Sequence, residues 1–194
     1  MDNIKEIAAI QAFTDVLDRL NIAYAIGGSM ASSVYGAVRF TQDADIMVEP
    51  FPPAADGLYR LLMENFYISP TAMYDALRTF GCFNVIHLAT AFKIDVFVTA
   101  DSEFHKQVFA RRQKLMFGDS ASKPLLLVSA EDIVLLKLDW YKQSDCTSER
   151  QWSDVLGVLT AQASAIDSEY LKTWADKLGL GELLKKAISD CRIK

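Results

Sequence analysis

The 194-residue chain contains 51% apolar and 23% charged residues, a balance typical of one globular domain or of one domain with an appended segment. Its formal net charge of −5 argues against a protein that holds nucleic acid by overall charge alone. No apolar run approaches the roughly 18 residues of a membrane span, the first residues lack a secretory signal, and the three cysteines do not form a disulfide framework. We therefore expect a cytoplasmic protein with no membrane partner.

The first part of the chain alternates helical and strand-like patterns. The apolar spacing predicts a helix over 3–20, a strand at 22–26, a helix over 29–35, a strand at 44–48, and helices over 53–65 and 70–79. The pair Gly27-Gly28 allows a turn between the first strand and the second helix. Ser69 and Pro70 have the pattern of an N-cap followed by the first helical residue.

The later part of the chain changes character after Ser129. Before it, two strand-like runs at 83–88 and 92–98 predict a hairpin, and shorter strands are predicted at 114–117 and 125–128. After it, every pattern is helical. Ser129-x-x-Asp132 and Ser148-x-x-Gln151 resemble capping boxes ahead of helical patterns at 133–141 and 152–159, and two more helices are predicted at 167–178 and 181–191. The expected fold class is therefore α/β (α+β), with a small mixed β-sheet flanked by helices over residues 1–128 and a C-terminal helical subdomain over residues 129–194.

Three aspartates lie among strongly apolar residues. Asp43 comes directly before the strand predicted at 44–48 and Asp45 lies in it, so in extended backbone their side chains share one face, and Asp95 in another predicted strand could join them. Crowded carboxylates repel one another, and Mg²⁺ with its preference for oxygen ligands relieves that repulsion. We interpret Asp43, Asp45 and Asp95 as catalytic metal ligands. Each one alone would also fit a turn, a helix cap or a solvated strand face.

The tripeptide Gly27-Gly28-Ser29 lies between a predicted strand and a predicted helix. Glycines let the backbone approach a phosphate closely, and the start of a helix supplies free N–H groups and a partial positive charge. Ser29 could add a hydroxyl donor. The same tripeptide also fits an ordinary strand-to-helix turn in which Ser29 is the N-cap.

Three further residues are candidates for contacts to a bound nucleotide. Arg39 and Thr41 come just before the acidic pair, and Arg39 could bind a phosphate, orient a carboxylate or form a surface ion pair. Lys137 lies in an apolar helix, from which its ammonium group could reach a cleft or extend to the surface. Arg150 and Asp154 are one helical turn apart, so an ion pair between them is the ordinary expectation.

Other reactions that use an Asp-x-Asp pattern fit less well. Phosphatases with an aspartate nucleophile usually carry threonine two residues after the second aspartate, where this chain has Met47. A sugar-nucleotide glycosyltransferase stays possible, although the glycine turn fits it poorly. His87 and His105 have no partner at zinc-ligand spacing.

Taken together, these motifs resemble the DNA polymerase β-type nucleotidyltransferase superfamily. The likeness is carried by Gly27-Gly28-Ser29, by Arg39-x-Thr41-x-Asp43-x-Asp45-Ile46 and by Ile94-Asp95-Val96. Within the superfamily, the chain is similar to a small bacterial branch that includes AbiEii-like toxins and many uncharacterised proteins. Residues 131–137 and 148–155 resemble the helical tail of that uncharacterised group.

This resemblance implies a fold and a set of ligands. It implies a small mixed sheet flanked by helices and two Mg²⁺ ions held by Asp43, Asp45 and Asp95. It places the phosphates of a nucleoside triphosphate over Gly28 and Ser29, and it gives Lys137 a position near those phosphates.

The residues and the resemblance together predict a Mg²⁺-dependent nucleotidyltransferase. The expected reaction moves a nucleoside monophosphate from a nucleoside triphosphate to an acceptor hydroxyl and releases pyrophosphate. The acceptor could be tRNA, a protein or a small molecule. The alternative is a non-catalytic nucleotide-binding protein on the same fold, such as one member of a toxin–antitoxin pair with an antitoxin-like partner.

Overall fold

The computed structural model describes residues 3–36, 43–117 and 123–192. The helices in these ranges are α1 (Asn3–Arg19), α2 (Gly28–Tyr35), α3 (Ala55–Leu62), α4 (Pro70–Thr79), α5 (Glu103–Ala110), α6 (Ala130–Gln143), α7 (Glu149–Ala161), α8 (Ser168–Lys177) and α9 (Gly181–Arg192). The strands are β1 (Tyr24–Ile26), β2 (Asp43–Val48), β3 (Phe66–Ile68), β4 (Cys82–His87), β5 (Lys93–Val98), β6 (Gln113–Leu115) and β7 (Leu125–Leu127). Among the helices in the three ranges, none combines the length and apolarity that a bilayer crossing needs.

Backbone proximity divides the described residues into two compact units. The first unit comprises 3–27, 43–117 and 123–127, and the second comprises 28–36 and 128–192. The first unit contains the whole β-sheet together with α1, α3, α4 and α5. The second unit is helical and contains α2 together with α6, α7, α8 and α9.

The sheet of the first unit has seven strands in the order β3-β4-β5-β2-β1-β7-β6. The pairs β2–β5 and β1–β7 are parallel, and the other neighbouring pairs are antiparallel. The predicted mixed sheet is therefore confirmed, and so is the predicted hairpin, which is formed by β4 and β5.

The two central strands explain why one sheet face is buried and the other polar. Their apolar side chains alternate with polar ones, and the members of the apolar set are buried: Ala44, Ile46, Val48, Ile94, Val96 and Val98. The polar set, Asp43, Asp45, Lys93 and Asp95, is only partly buried. Because side chains alternate between faces along a strand, this pattern forces both aspartates of β2 to the side away from the apolar set.

Three predicted helix starts are confirmed in atomic detail. Ser69, Ser129 and Ser148 each accept a hydrogen bond from a backbone N–H three residues ahead, at 3.3, 3.1 and 3.4 Å. Such caps satisfy N–H groups that the first helical turn leaves without partners. The sequence signal for these helices was therefore local and sufficient.

Two elements were not predicted. Strand β3 is a three-residue edge strand, too short to show a clear alternation, and it begins one residue after the end of the helix predicted over 53–65. The helix itself is shorter, because a 3₁₀ turn at Pro52–Ala54 precedes α3 and the helix ends at Leu62. Helix α5 begins after Ser102, whose hydroxyl accepts from the N–H of His105 at 3.2 Å. The Ser102 N-cap could have been recognised in the sequence, but it was not predicted.

Candidate active site

A row of polar side chains crosses the centre of the sheet on one face. In the parallel register of β2 and β5, Asp45 is opposite Asp95 and Asp43 is opposite Lys93. On the other side of β5, Asn84 of β4 is opposite Asp95. Residues opposite each other on neighbouring strands project from the same face, so these five side chains form one surface. We call it the acidic face.

Lys93 binds two of the three predicted ligands. Its ammonium Nζ lies 2.6 Å from Asp95 Oδ2 and 3.6 Å from Asp43 Oδ2. The hydrogen bond to Asp95, followed by the negative charges of Asp95 and Asp43, raises the pKa of Lys93 and keeps it charged. The acidic face therefore carries its own cation.

The second oxygen of Asp95 has a different partner. The amide Nδ2 of Asn84 donates a hydrogen bond to Asp95 Oδ1, while Lys93 Nζ donates to Asp95 Oδ2. The Asp95 side chain is 15% exposed, compared with 32% for Asp43. Asp95 is consequently the better oriented of these two carboxylates.

The charge of the acidic face is also visible in a neighbouring thiol. Cys82 lies in β4, two residues before Asn84 and on the same face. Loss of hydration at the sulfur, followed by the negative charges of Asp95 and Asp45, raises the pKa of Cys82 to about 11. A raised pKa is what a poorly hydrated thiol near carboxylates should have, since its ionisation would add a further negative charge.

The acidic face contains the type of ligand that Mg²⁺ prefers, but its side chains are not arranged around one point. Carboxylate oxygens are the ligands that Mg²⁺ prefers, and three carboxylates project from one face of two adjacent strands. Within the described ranges, no three His, Cys, Asp or Glu side chains converge closely enough to hold a metal ion.

The predicted phosphate turn is present in the backbone. Gly27 donates its N–H to the carbonyl of Asp45 at 2.9 Å, which extends the pairing of β1 with β2 by one residue. Gly28 follows with a φ of 53°, a left-handed conformation that glycine adopts without strain, and it begins α2. The turn from strand to helix predicted from these two glycines is thus confirmed as local structure.

The remaining described candidates belong to the helical unit. Ser29 is buried in the first turn of α2, and its Oγ accepts a hydrogen bond from the guanidinium of Arg150 at 2.8 Å. Lys137 Nζ lies 2.9 Å from Asp154 Oδ2, and the two side chains are 2% and 9% exposed. The possibility that Lys137 extends to the surface is therefore wrong. Arg39 and Thr41 lie outside the described residues.

Sequence reasoning missed four of these contacts. Asn84 and Lys93 were not considered, although the register of the β4–β5 hairpin places both beside Asp95. Arg150 and Asp154 were considered only as partners of each other, whereas the structure joins them to Ser29 and Lys137. The second pair of contacts requires helices α2, α6 and α7 to pack together, which no local pattern reveals.

The mixed sheet with its helices defines a nucleotidyltransferase fold. The solution structure of the antibiotic-resistance factor ANT(2'')-Ia matches with a TM-score of 0.55 and 15% identity, over 99% of this chain and 97% of that one. A crystal structure of ANT(2'')-Ia in complex with adenylyl-2''-tobramycin matches with a TM-score of 0.54 and 15% identity, over 90% and 97%. An antigenic nucleotidyltransferase-like protein from Paracoccidioides brasiliensis matches with a TM-score of 0.54 and 18% identity, over 94% and 91%.

These similarities concern the fold. The chain matches no protein-family model. It also matches no curated protein. At identities of 15% and 18%, the structural likeness confirms the predicted α/β fold with its mixed sheet, and the activity has to be argued from the site.

Proposed function

We propose that this protein is a Mg²⁺-dependent nucleotidyltransferase, which moves a nucleoside monophosphate from a nucleoside triphosphate to an acceptor hydroxyl. The observation that carries the proposal is the register of β2 and β5, which puts Asp45 opposite Asp95 with Asp43 on the same face. The nucleotidyltransferase fold of the neighbouring structures supports it.

In this proposal the three aspartates hold the metal. Bound Mg²⁺ would neutralise charge on the reacting phosphate oxygens. The carboxylate of Asp95 would accept the proton of the acceptor hydroxyl, whose oxygen then attacks the α-phosphorus. The bond from the α-phosphorus to its bridging oxygen breaks, and pyrophosphate leaves with the electron pair.

The phosphate-binding part of the proposal uses the turn and the first residues of α2. Gly27 and Gly28 let the backbone approach a phosphate, and Ser29 offers its hydroxyl. Arg150 supplies a positive charge 2.8 Å from that hydroxyl. The proposal adds contacts to the nucleotide from Arg39, Thr41 and Lys137. The ammonium of Lys137 forms an ion pair with Asp154, so a nucleotide phosphate would compete with that carboxylate for it.

The acceptor is proposed to be a small molecule with a free hydroxyl. One structural neighbour, ANT(2'')-Ia, was crystallised with adenylyl-2''-tobramycin, an adenylylated small molecule. Transfer to tRNA or to a protein is the alternative that the assay must cover. We further propose that the protein belongs to the AbiEii-like branch, has a bacterial source and is cytoplasmic. Its site would hold two metal ions. The catalytic domain would span 1–128 and be followed by a helical subdomain over 129–194.

The deciding experiment measures the transfer of a radioactive label and the release of pyrophosphate in the same reaction. The full chain is incubated with Mg²⁺, each α-³²P-labelled nucleoside triphosphate and a cell extract separated into RNA, protein and small-molecule fractions. We expect pyrophosphate release matched by label in one fraction, and loss of both when EDTA is added. Absence of transfer with every nucleotide and fraction, in a protein that binds nucleotide, would reject the enzyme.

A second candidate function is nucleotide binding without catalysis. The observation that favours it is that the ammonium of Lys93 forms ion pairs with Asp43 and Asp95, two of the three proposed metal ligands. Calorimetric titration with ATP distinguishes the two functions. Binding that is indifferent to Mg²⁺ and gives no pyrophosphate supports the binding protein, in which case an antitoxin-like partner becomes the next question.

A further inference from the structure

Lys93 occupies the position in the acidic face where a divalent cation would be most useful. Its ammonium bridges Asp43 and Asp95, which come from different strands. Its side chain is 42% exposed, so the ammonium can withdraw into solvent by rotation of its flexible stem. Lys93 is thus held by charge and not by packing.

The hydrogen bond from Asn84 determines for which oxygen of Asp95 Lys93 and a metal ion would compete. Asn84 holds Asp95 Oδ1, and Lys93 holds Asp95 Oδ2. Asn84 can keep its bond while a metal binds, because a carboxylate can use its two oxygens for different partners. Lys93 cannot, since an ammonium and a metal ion would repel each other at the same oxygen.

We propose that Lys93 is an internal competitor for the metal: its ammonium pairs with Asp43 and Asp95 when no metal is bound, and it must leave them before Mg²⁺ binds. This inference rests on the proposed function, because it presupposes that these aspartates are metal ligands.

The exchange has a functional consequence for the order of binding. Metal alone has to displace a bound ammonium, so its affinity is low. Metal that arrives with a nucleoside triphosphate brings extra oxygen ligands and negative charge, and those charges also give the displaced ammonium a new partner. Metal binding should therefore depend strongly on nucleotide in the wild-type protein and weakly in a variant without the lysine charge.

The test measures binding of Mn²⁺ alone to the full chain by electron paramagnetic resonance of the free ion. Lys93→Met removes the ammonium and keeps most of the stem. Lys106→Met is the matched control, because Lys106 is also an exposed lysine that pairs with one aspartate, Asp101, at 2.7 Å. We expect Lys93→Met to bind Mn²⁺ about tenfold more tightly than wild type and Lys106→Met to match wild type.

The outcomes separate this inference from the proposed function. If Lys93→Met binds Mn²⁺ no more tightly than a wild-type protein that binds it measurably, the competition is refuted and the metal site stands. If neither protein binds Mn²⁺, with or without a nucleoside triphosphate, the proposed function and the inference both fail. Asp45→Asn added to Lys93→Met should abolish the gain in affinity, which locates the ion at the acidic face.

A second measurement needs no variant of Lys93 and covers the case in which Lys93→Met fails to fold. Wild-type protein is treated briefly with acetic anhydride, with and without saturating Mn²⁺, and lysine acetylation is measured by mass spectrometry. We expect Mn²⁺ to increase labelling of Lys93 several-fold and to leave Lys106 unchanged. Unchanged labelling of Lys93 in protein that has bound Mn²⁺ would overturn the exchange.

Discussion

Asp45 and Asp95 are opposite each other on neighbouring parallel strands, and both project from the same face of the sheet. Adjacent strands are only about 4.8 Å apart, so two carboxylates in this arrangement destabilise the fold unless a positive charge accompanies them. Lys93 supplies that charge in the structure, and Mg²⁺ would supply it in the proposed enzyme. The repulsion between Asp45 and Asp95 therefore destabilises the fold, while the proposed metal site needs both carboxylates.

The first prediction concerns activity. Asp45→Asn keeps the size of the side chain and removes one metal ligand, so nucleotide transfer should fall by at least about a hundredfold. The melting temperature should not fall, because one negative charge leaves a crowded face. Pyrophosphate release and thermal unfolding measure the two effects. Asp101→Asn, at an exposed aspartate paired with Lys106, is the control and should keep full activity. Full activity in Asp45→Asn would remove this residue from the catalytic centre.

The second prediction uses Cys82 as a reporter of the acidic face. Because its pKa is raised to about 11, little thiolate is present at pH 8, and iodoacetamide should modify Cys82 roughly ten to a hundred times more slowly than Cys146, although both cysteines are exposed. Asp95→Asn removes a charge that raises this pKa, so it should accelerate the modification of Cys82. Mass spectrometry follows both cysteines in one sample, with Cys146 as the internal reference. Equal rates at the two cysteines in wild type would contradict the electrostatic description.

Much of this architecture was predictable because its signals are local. Ser69 and Pro70 predicted the start of α4 correctly, and the apolar run at 92–98 predicted the strand that carries Asp95. The spacing of Asp43 and Asp45 was enough to infer a shared face. Each of these statements needs only a few consecutive residues, and the structure confirms each as a statement about local geometry.

What could not be predicted depends on partners distant in the chain. The contact of Arg150 with Ser29 joins residues 121 positions apart, and it exists because α2 and α7 belong to the same compact unit. The burial of Lys137 depends in the same way on Asp154 in another helix. An apolar helix that contains one lysine looks the same from sequence whether the ammonium reaches solvent or a buried carboxylate.

The third prediction concerns stability at alkaline pH. The hydroxyl of Tyr35 is buried and has no hydrogen-bond partner among the described residues. Burial, followed by the negative charges of Glu131 and Asp132, raises the pKa of Tyr35 to about 12, from 10.0 for an exposed tyrosine. Below pH 10 both the folded and the unfolded protein keep this tyrosine neutral. Between about pH 10 and 12 the unfolded chain ionises first, so the protein should lose up to about 2–3 kcal/mol of stability there.

Tyr35→Phe tests this expectation. The variant should be at least as stable as wild type at pH 7, because it removes a buried hydroxyl without a partner. Its free energy of unfolding, measured in urea, should fall less steeply than that of wild type from pH 9 to pH 11. Tyr67→Phe, at a tyrosine that is 59% exposed, should follow the wild-type curve. Identical pH curves for Tyr35→Phe and wild type would show that Tyr35 does not contribute to the alkaline loss.

The fourth prediction concerns the buried ion pair of the helical unit. Asp154→Asn leaves the ammonium of Lys137 almost fully buried without its counter-charge, so the free energy of unfolding should fall by about 3–5 kcal/mol. Lys137→Met combined with Asp154→Leu should recover most of that loss, because two apolar side chains need no charge partner. Glu182→Gln, at the exposed pair with Lys185, is the control and should leave the urea midpoint unchanged. If Asp154→Asn unfolds within about 1 kcal/mol of wild type, the Lys137 ammonium has another compensating partner in the folded protein.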